Sequence, residues 1–261
     1  MKEMKRFNIK MKYSVLFFMA LFVQSCSNQK IENDWTEANI KGKVLTYSEF
    51  SYEPEDRFGK IEKGSLNRKD TYEYDEKGNI IEDNSYNSDG RLDSKNIYKY
   101  DEKGNNIEYK WYNSDGSLDS KNTYKYDEKG NIIEYNRHNS DGSLDCKNTY
   151  KYDEKGNIIE YNWYNPDGSL TSKNTYKYDE KGNKIEFKGH NSDGRLTSKS
   201  TFKYDEKGNE IEYNWYNSDG NLTNKNTKEY EFDNQGNWIK RIFFRDEIPN
   251  VILEREYEYY D

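Results

Sequence analysis

The chain has 261 residues, with 41 Lys and Arg against 49 Asp and Glu, and this net charge of −8 argues against nucleic acid or an anionic membrane surface as a partner of its folded part. Leu, Ile, Val and Phe number only 44, a composition usual for disorder, but 26 tyrosines placed in register supply the missing buriable area. The first element in chain order is a targeting segment, residues 1–25. Lys2, Lys5, Arg6, Lys10 and Lys12 precede an apolar stretch over residues 15–23, too short to stay in a bilayer as a permanent span.

That stretch ends in Val23-Gln24-Ser25-Cys26, which resembles the lipobox of bacterial lipoproteins. The resemblance implies cleavage after Ser25 and a lipid on Cys26 that ties the chain to a membrane. Residues 1–25 hold five basic side chains and one acidic one, so the remainder carries −12. Its one other cysteine, Cys146, makes no disulfide framework. Residues 26–40 are polar and read as a tether. Gln29-Lys30 followed by Glu32 resembles the short export signals with which some Gram-negative lineages send lipoproteins to the outer face of the outer membrane. The expected address is a surface-exposed outer-membrane lipoprotein.

Residues 41–261 read as one β domain. Over residues 41–66, Val44, Phe50, Tyr52, Phe58 and Ile61 lie in strand-like surroundings, and the segment is expected to cap the first sheet edge. Residues 67–236 are an array with a period of 26: Tyr-Asp-Glu-Lys-Gly-Asn starts at Tyr74, Tyr100, Tyr126, Tyr152, Tyr178 and Tyr204, and a degenerate copy at Phe232 arrives two residues late. Each unit has two turn signals, such as Asp101-Glu102-Lys103-Gly104 and Asn113-Ser114-Asp115-Gly116, suited to a type I turn followed by a left-handed glycine.

Between the turns the side chains alternate with period two. Ile107, Tyr109 and Trp111 share one face, as do Leu118, Ser120, Asn122, Tyr124 and Tyr126, while Glu108, Lys110, Lys121 and Lys125 fall on the other. Residues 237–261 form the most apolar hairpin and are expected to cap the far edge. The predicted fold is all-β, an elongated meander of antiparallel hairpins. Some 16 strands exceed what an open sheet holds flat, so it is expected to curl into a spiral or half-shell with the aromatic face inward.

The run Tyr-Lys-Tyr-Asp-x-x-Gly-Asn-x-Ile at residues 124–133 resembles the YD repeats of the RHS family, with Asn where that family has Arg, and the likeness covers residues 74–237. Tyr112-Asn113-Ser114-Asp115-Gly116-Ser117-Leu118 is similar to MORN-type repeats. Both resemblances imply a scaffold or binding surface instead of an enzyme.

The residues agree with that expectation. No nucleophile, phosphate-loop or dinucleotide motif occurs, His138 and His190 lie two repeats apart, and Asn113-Ser114-Asp115-Gly116 lacks the alternating carboxylates of a calcium loop, so neither metal nor cofactor is expected. Glu108, Glu134, Glu160 and Glu186 line up with partner-strand lysines as a solvated face. Trp111, Trp163 and Trp215 alternate with the small or flat Ser85, Arg137 and Gly189, which suits wide rings lying across the sheet. Together with Tyr109, Tyr161 and Tyr213 they either fill the curl or form a platform for sugar rings or peptide aromatics. The expected function is a non-enzymatic surface lipoprotein that binds a glycan or protein. The alternative, drawn from the RHS resemblance, is a partner or immunity factor in a toxin system.

Overall fold

Each repeat folds locally because its two turns carry their own clamps. In the first, Asp101 Oδ1 accepts from the backbone N–H groups of Lys103 and Asn105 at 2.9 and 2.8 Å, and the Asn105 amide donates to Asp101 Oδ2 at 2.8 Å. The Asp and Asn of the signature are therefore one hydrogen-bonded pair, closed over Gly104 at φ 86°. In the second, Ser117 donates to Asp115 Oδ1 through its backbone N–H at 2.8 Å and its hydroxyl at 2.6 Å. Where Arg91, Arg195 or Asn221 replaces that serine, the first Asn of the turn accepts the backbone N–H instead.

The protein is known from a computed structural model that describes residues 33–260. The targeting segment, Cys26 and the start of the tether lie outside the described residues. A short helix, α1 (Asp34–Glu37), precedes β1 (Val44–Arg57), β2 (Lys60–Tyr74), β3 (Ile80–Asn87), β4 (Leu92–Tyr100), β5 (Asn106–Asn113), β6 (Leu118–Tyr126), β7 (Ile132–Asn139) and β8 (Leu144–Tyr152). There follow β9 (Ile158–Tyr164), β10 (Leu170–Tyr178), β11 (Lys184–Asn191), β12 (Leu196–Tyr204), β13 (Glu210–Asn217), β14 (Leu222–Phe232), β15 (Trp238–Arg245) and β16 (Ile248–Tyr259).

Every strand pairs antiparallel with its sequence neighbours, and β1 pairs with β16, Tyr47 opposite Tyr257 and Glu49 opposite Arg255. The sheet is a closed barrel, which corrects the expected open spiral or half-shell. The terminal segments taken for edge caps are the two sides of the seam. Closure removes both edges and pairs the N–H and C=O groups an open sheet would leave bare.

A regular set of bulges gives the curvature. The register shifts between Lys99 and Tyr100 in the β4–β5 pair and between Trp111 and Tyr112 in the β5–β6 pair, and the same shifts recur at equivalent positions around the wall. They also break the simple alternation. Ile107 has no partner in the ladder and is exposed, and Leu118 pairs with Tyr112 of the opposite face.

Residues 33–40 are not a free tether. Trp35 is 8% exposed, packs 5.9 Å from the Tyr74 ring, lies against Gly78 and donates its indole N–H to the Val44 carbonyl at 3.0 Å. Asp34 accepts from the Ile80 N–H and the Tyr100 hydroxyl at 2.6 and 2.8 Å, and Lys41 exchanges two hydrogen bonds with the Asn237 side chain. Trp35, Ile40, Val44, Tyr47, Tyr74 and Ile80 form a buried cluster at the foot of the seam.

Candidate functional site

The two faces of the wall differ in chemistry. One carries a belt of ion pairs: Glu108 lies 3.2, 3.2 and 2.5 Å from Lys99, Lys110 and Lys121, Glu134 2.7 and 2.6 Å from Lys125 and Lys147, and Glu160 2.9 and 2.5 Å from Lys151 and Lys173. Lys125 and Lys151 keep about two thirds of their side chains in solvent, as the outer surface of a curved wall requires. The sequence had these carboxylates in a row beside partner-strand lysines, and the structure places them so. Lys121 holds Glu108, Lys125 and Lys147 hold Glu134, and Lys173 holds Glu160, each with a pKa of about 2.

This belt bears on how the barrel meets lipid. A membrane barrel turns an apolar band outward, and a lysine there costs roughly 2–4 kcal/mol at mid-depth. Here the outward wall carries this belt of charged pairs. Among the described residues no helix is long and apolar enough to cross a membrane.

The inward face is aromatic and amide-rich. Five cross-strand ring pairs run round it: Tyr98 with Tyr109 at 5.1 Å, Tyr124 with Tyr135 at 5.6 Å, Tyr150 with Tyr161 at 5.2 Å, Tyr176 with Phe187 at 5.6 Å and Phe202 with Tyr213 at 5.2 Å. Burial pushes the Tyr176 phenol up to about 12 and raises those of Tyr98, Tyr109, Tyr124, Tyr135, Tyr150, Tyr161 and Tyr213 as well, so these phenols are neutral donors. Between the rings lie Asn96, Asn122, Asn148, Ser120 and Ser200, and Tyr109 donates to Asn96 at 2.9 Å.

Trp111, Trp163 and Trp215 stand on the same face, opposite Asn96, Asn148 and Ser200 across one strand pair. The sequence has them either filling a curl or forming a platform, and closure of the sheet turns the face they share inward. Trp215 is 42% exposed and meets the Tyr213 ring edge-on at 6.1 Å, and Tyr109, Trp111, Tyr161, Trp163 and Tyr213 are partly exposed. Strands β5, β9 and β13 are four apart, a quarter of the circumference each. Closure thus aims the three indoles into one lumen from three sides, with Trp111 and Trp215 across from each other. Sixteen strands at ~4.8 Å give a wall radius of roughly 12 Å, more with tilt. The slot at Gly189 does not receive an indole: a Cβ there would first meet Ser198, Thr197 and Asn174.

The inward wall from β11 round to the seam carries charged side chains. Lys184, Lys228, Arg241 and Arg255 lie on β11 to β16 with Glu210, Glu49 lies across the seam on β1, and Asp70, Asp83 and Arg68 continue on β2 and β3. Asp83 accepts from Tyr98 and Asn96 at 2.5 and 2.7 Å, and burial raises its pKa. Sequence reading missed these cations, although a signal existed. Lys228 stands in the slot that holds Tyr98, Tyr124, Tyr150, Tyr176 and Phe202 in earlier copies.

No family model matches the chain, and no curated protein matches it by sequence. Among solved structures it is similar to a porin-like protein from Bacteroides uniformis, at 11% identity and a TM-score of 0.57, over 84% of this chain and 99% of that one. A porin-like protein from Bacteroides vulgatus matches at 11% identity and a TM-score of 0.49, over 84% and 100% of the two chains. The Photorhabdus luminescens Tc holotoxin pore matches at 14% identity and a TM-score of 0.30, over 74% of this chain and 13% of that one. The first of these supports the barrel fold.

Proposed function

We propose that this chain is a non-enzymatic lipoprotein of the outer membrane, held at the cell surface by a lipid on Cys26, whose barrel lumen binds a glycan. The observation that carries the reading is the placement of Trp111, Trp163 and Trp215 on three sides of a partly exposed lumen. Aromatic faces separated by neutral amides and hydroxyls suit sugar rings, which offer apolar C–H faces and hydroxyl edges at once. A slim chain of sugars fits such a lumen better than a folded protein does.

The charged belt supports a lipid tether over a lipid-embedded wall. Cys26 lies seven residues before Asn33, which donates to Lys77 in a turn at the foot, so a lipid on Cys26 would hold that rim within roughly 25 Å of the membrane. The hairpin tip at Phe58, beyond the opposite rim, would point away.

Two measurements test this. Metabolic labelling with a palmitate analogue tags the wild type and not Cys26→Ala; a label that survives the substitution removes the anchor. A glycan-array screen of the purified chain finds a sugar whose binding is lost in Trp163→Ala and Trp215→Ala. The toxin-system alternative rests on the RHS resemblance alone, and co-purification of a toxin from the native cell in place of a glycan would put it first.

A further inference from the structure

We propose that the inward wall from β11 to β16 is a subsite for an anionic sugar, carboxylated or sulfated, a reading that rests on the glycan-binding lumen above. Four cations lie along it, Lys184 on β11 and Lys228, Arg241 and Arg255 on the successive strands β14, β15 and β16, each over an aromatic ring. The Lys184 ammonium is 4.4 Å from the Phe202 ring centroid and that of Lys228 is 5.3 Å from Phe243. The Arg241 guanidinium is 4.3 Å from Trp238 and 4.6 Å from Phe243, and that of Arg255 is 3.9 Å from Trp238 and 4.5 Å from Tyr47.

Of Lys228, Arg241 and Arg255, on the adjacent strands β14 to β16, two have a carboxylate partner among the described residues. Glu210 pairs with Lys228 at 2.6 Å and Glu49 with Arg255 at 2.8 Å. Among the described residues no carboxylate lies within ion-pair distance of Arg241, whose Nε is buried without a hydrogen-bond partner. Such a surplus is costly inside a wall, and burial with the neighbouring cation lowers the pKa of Lys228 and of Arg241. A bound anion would relieve it.

The geometry also favours a sugar acid over a bare ion. A guanidinium over an aromatic ring presents planar donors that can grip a carboxylate or sulfate edge-on, while the adjoining ring faces take up the sugar's C–H surface. Because the protein as a whole is acidic, long-range attraction is weak and the site discriminates at short range.

The test titrates the full-length chain with tetragalacturonate, with its neutral methyl ester and with a sulfated galactan oligosaccharide of equal length. Tetragalacturonate or the sulfated probe is expected to bind at least about tenfold more tightly than the ester, and raising salt from about 50 to about 500 mM should weaken the acid only. The better of the two acids identifies the anion. Arg241→Gln should remove that preference while leaving the ester unchanged. Lys184→Gln, on a separate strand, should reduce it and serves if the arginine variant does not fold. Equal binding of acid and ester, or a preference untouched by both variants, overturns the anionic subsite while leaving the glycan reading standing. Failure of all three probes, with a neutral glycan found on the array, overturns it as well.

Discussion

The Tyr126 hydroxyl donates to the carbonyl oxygen of Asn106 at 2.6 Å, bridging the far ends of β5 and β6. The relationship recurs, always 20 residues apart, from Tyr152 to Ile132, Tyr178 to Ile158, Tyr204 to Lys184 and Tyr230 to Glu210. Each carbonyl belongs to the residue beside a bulge, where the strand ladder is interrupted. The first tyrosine of the signature is thus a staple for a backbone group that the bulge takes out of the ladder.

Removing one staple should therefore destabilise the barrel although almost no volume is lost. Tyr178→Phe is expected to cost about 1 kcal/mol, the worth of one hydrogen bond whose acceptor stays covered. Urea unfolding read by circular dichroism measures it. An unchanged midpoint would mean that water replaces the phenol freely.

The turn glycines test backbone strain without steric crowding. Gly142 has φ 85°, and a Cβ added there would meet nothing within 4 Å. Gly142→Val should cost at least about 1 kcal/mol from the left-handed backbone alone, and Gly142→Asn less, since Asn tolerates that region better. Thermal melts of the two variants should rank in that order; the reverse order refutes the turn assignment.

The outer belt should make stability fall in acid. In the folded state Glu134 and Glu160 have pKa values of about 2, against an ordinary 4.5, because lysine ammonium groups donate to them. A carboxylate depressed on folding contributes stability that is complete above about pH 4.5 and is lost as pH falls toward 2. Urea midpoints across that window should drop for the wild type and drop less steeply for the double variant Glu134→Gln, Glu160→Gln. Parallel profiles would place the acid sensitivity elsewhere.

Trp35 and Trp163 should behave oppositely. Trp35→Ala empties the cluster at the foot of the seam and is expected to cost about 3–5 kcal/mol, whereas Trp163→Ala, on the lumen wall, should cost clearly less. Acrylamide should quench Trp111, Trp163 and Trp215 and spare Trp35. Inverted quenching would mean that the lumen is shut.

Much of this protein is local and was legible in its sequence. The 26-residue period, the two turns per unit, the charged face with its ion pairs and the aromatic face all follow from residues a few positions apart, because a hairpin is closed by its own turn and its alternation is set by the pleat. What the sequence could not show depends on sums over the whole sheet. Bulges such as those at Tyr100 and Tyr112 add a small bend each, and only their total over sixteen strands brings Tyr47 opposite Tyr257, 210 residues later. That closure turns three tryptophans spaced along a strip into three sides of a lumen, brings Glu49 opposite Arg255, and creates the foot of the seam on which Trp35 docks. Strand pairing between chain ends leaves no local mark in the sequence, since any antiparallel edge can in principle accept any other and the register is fixed by accumulated curvature.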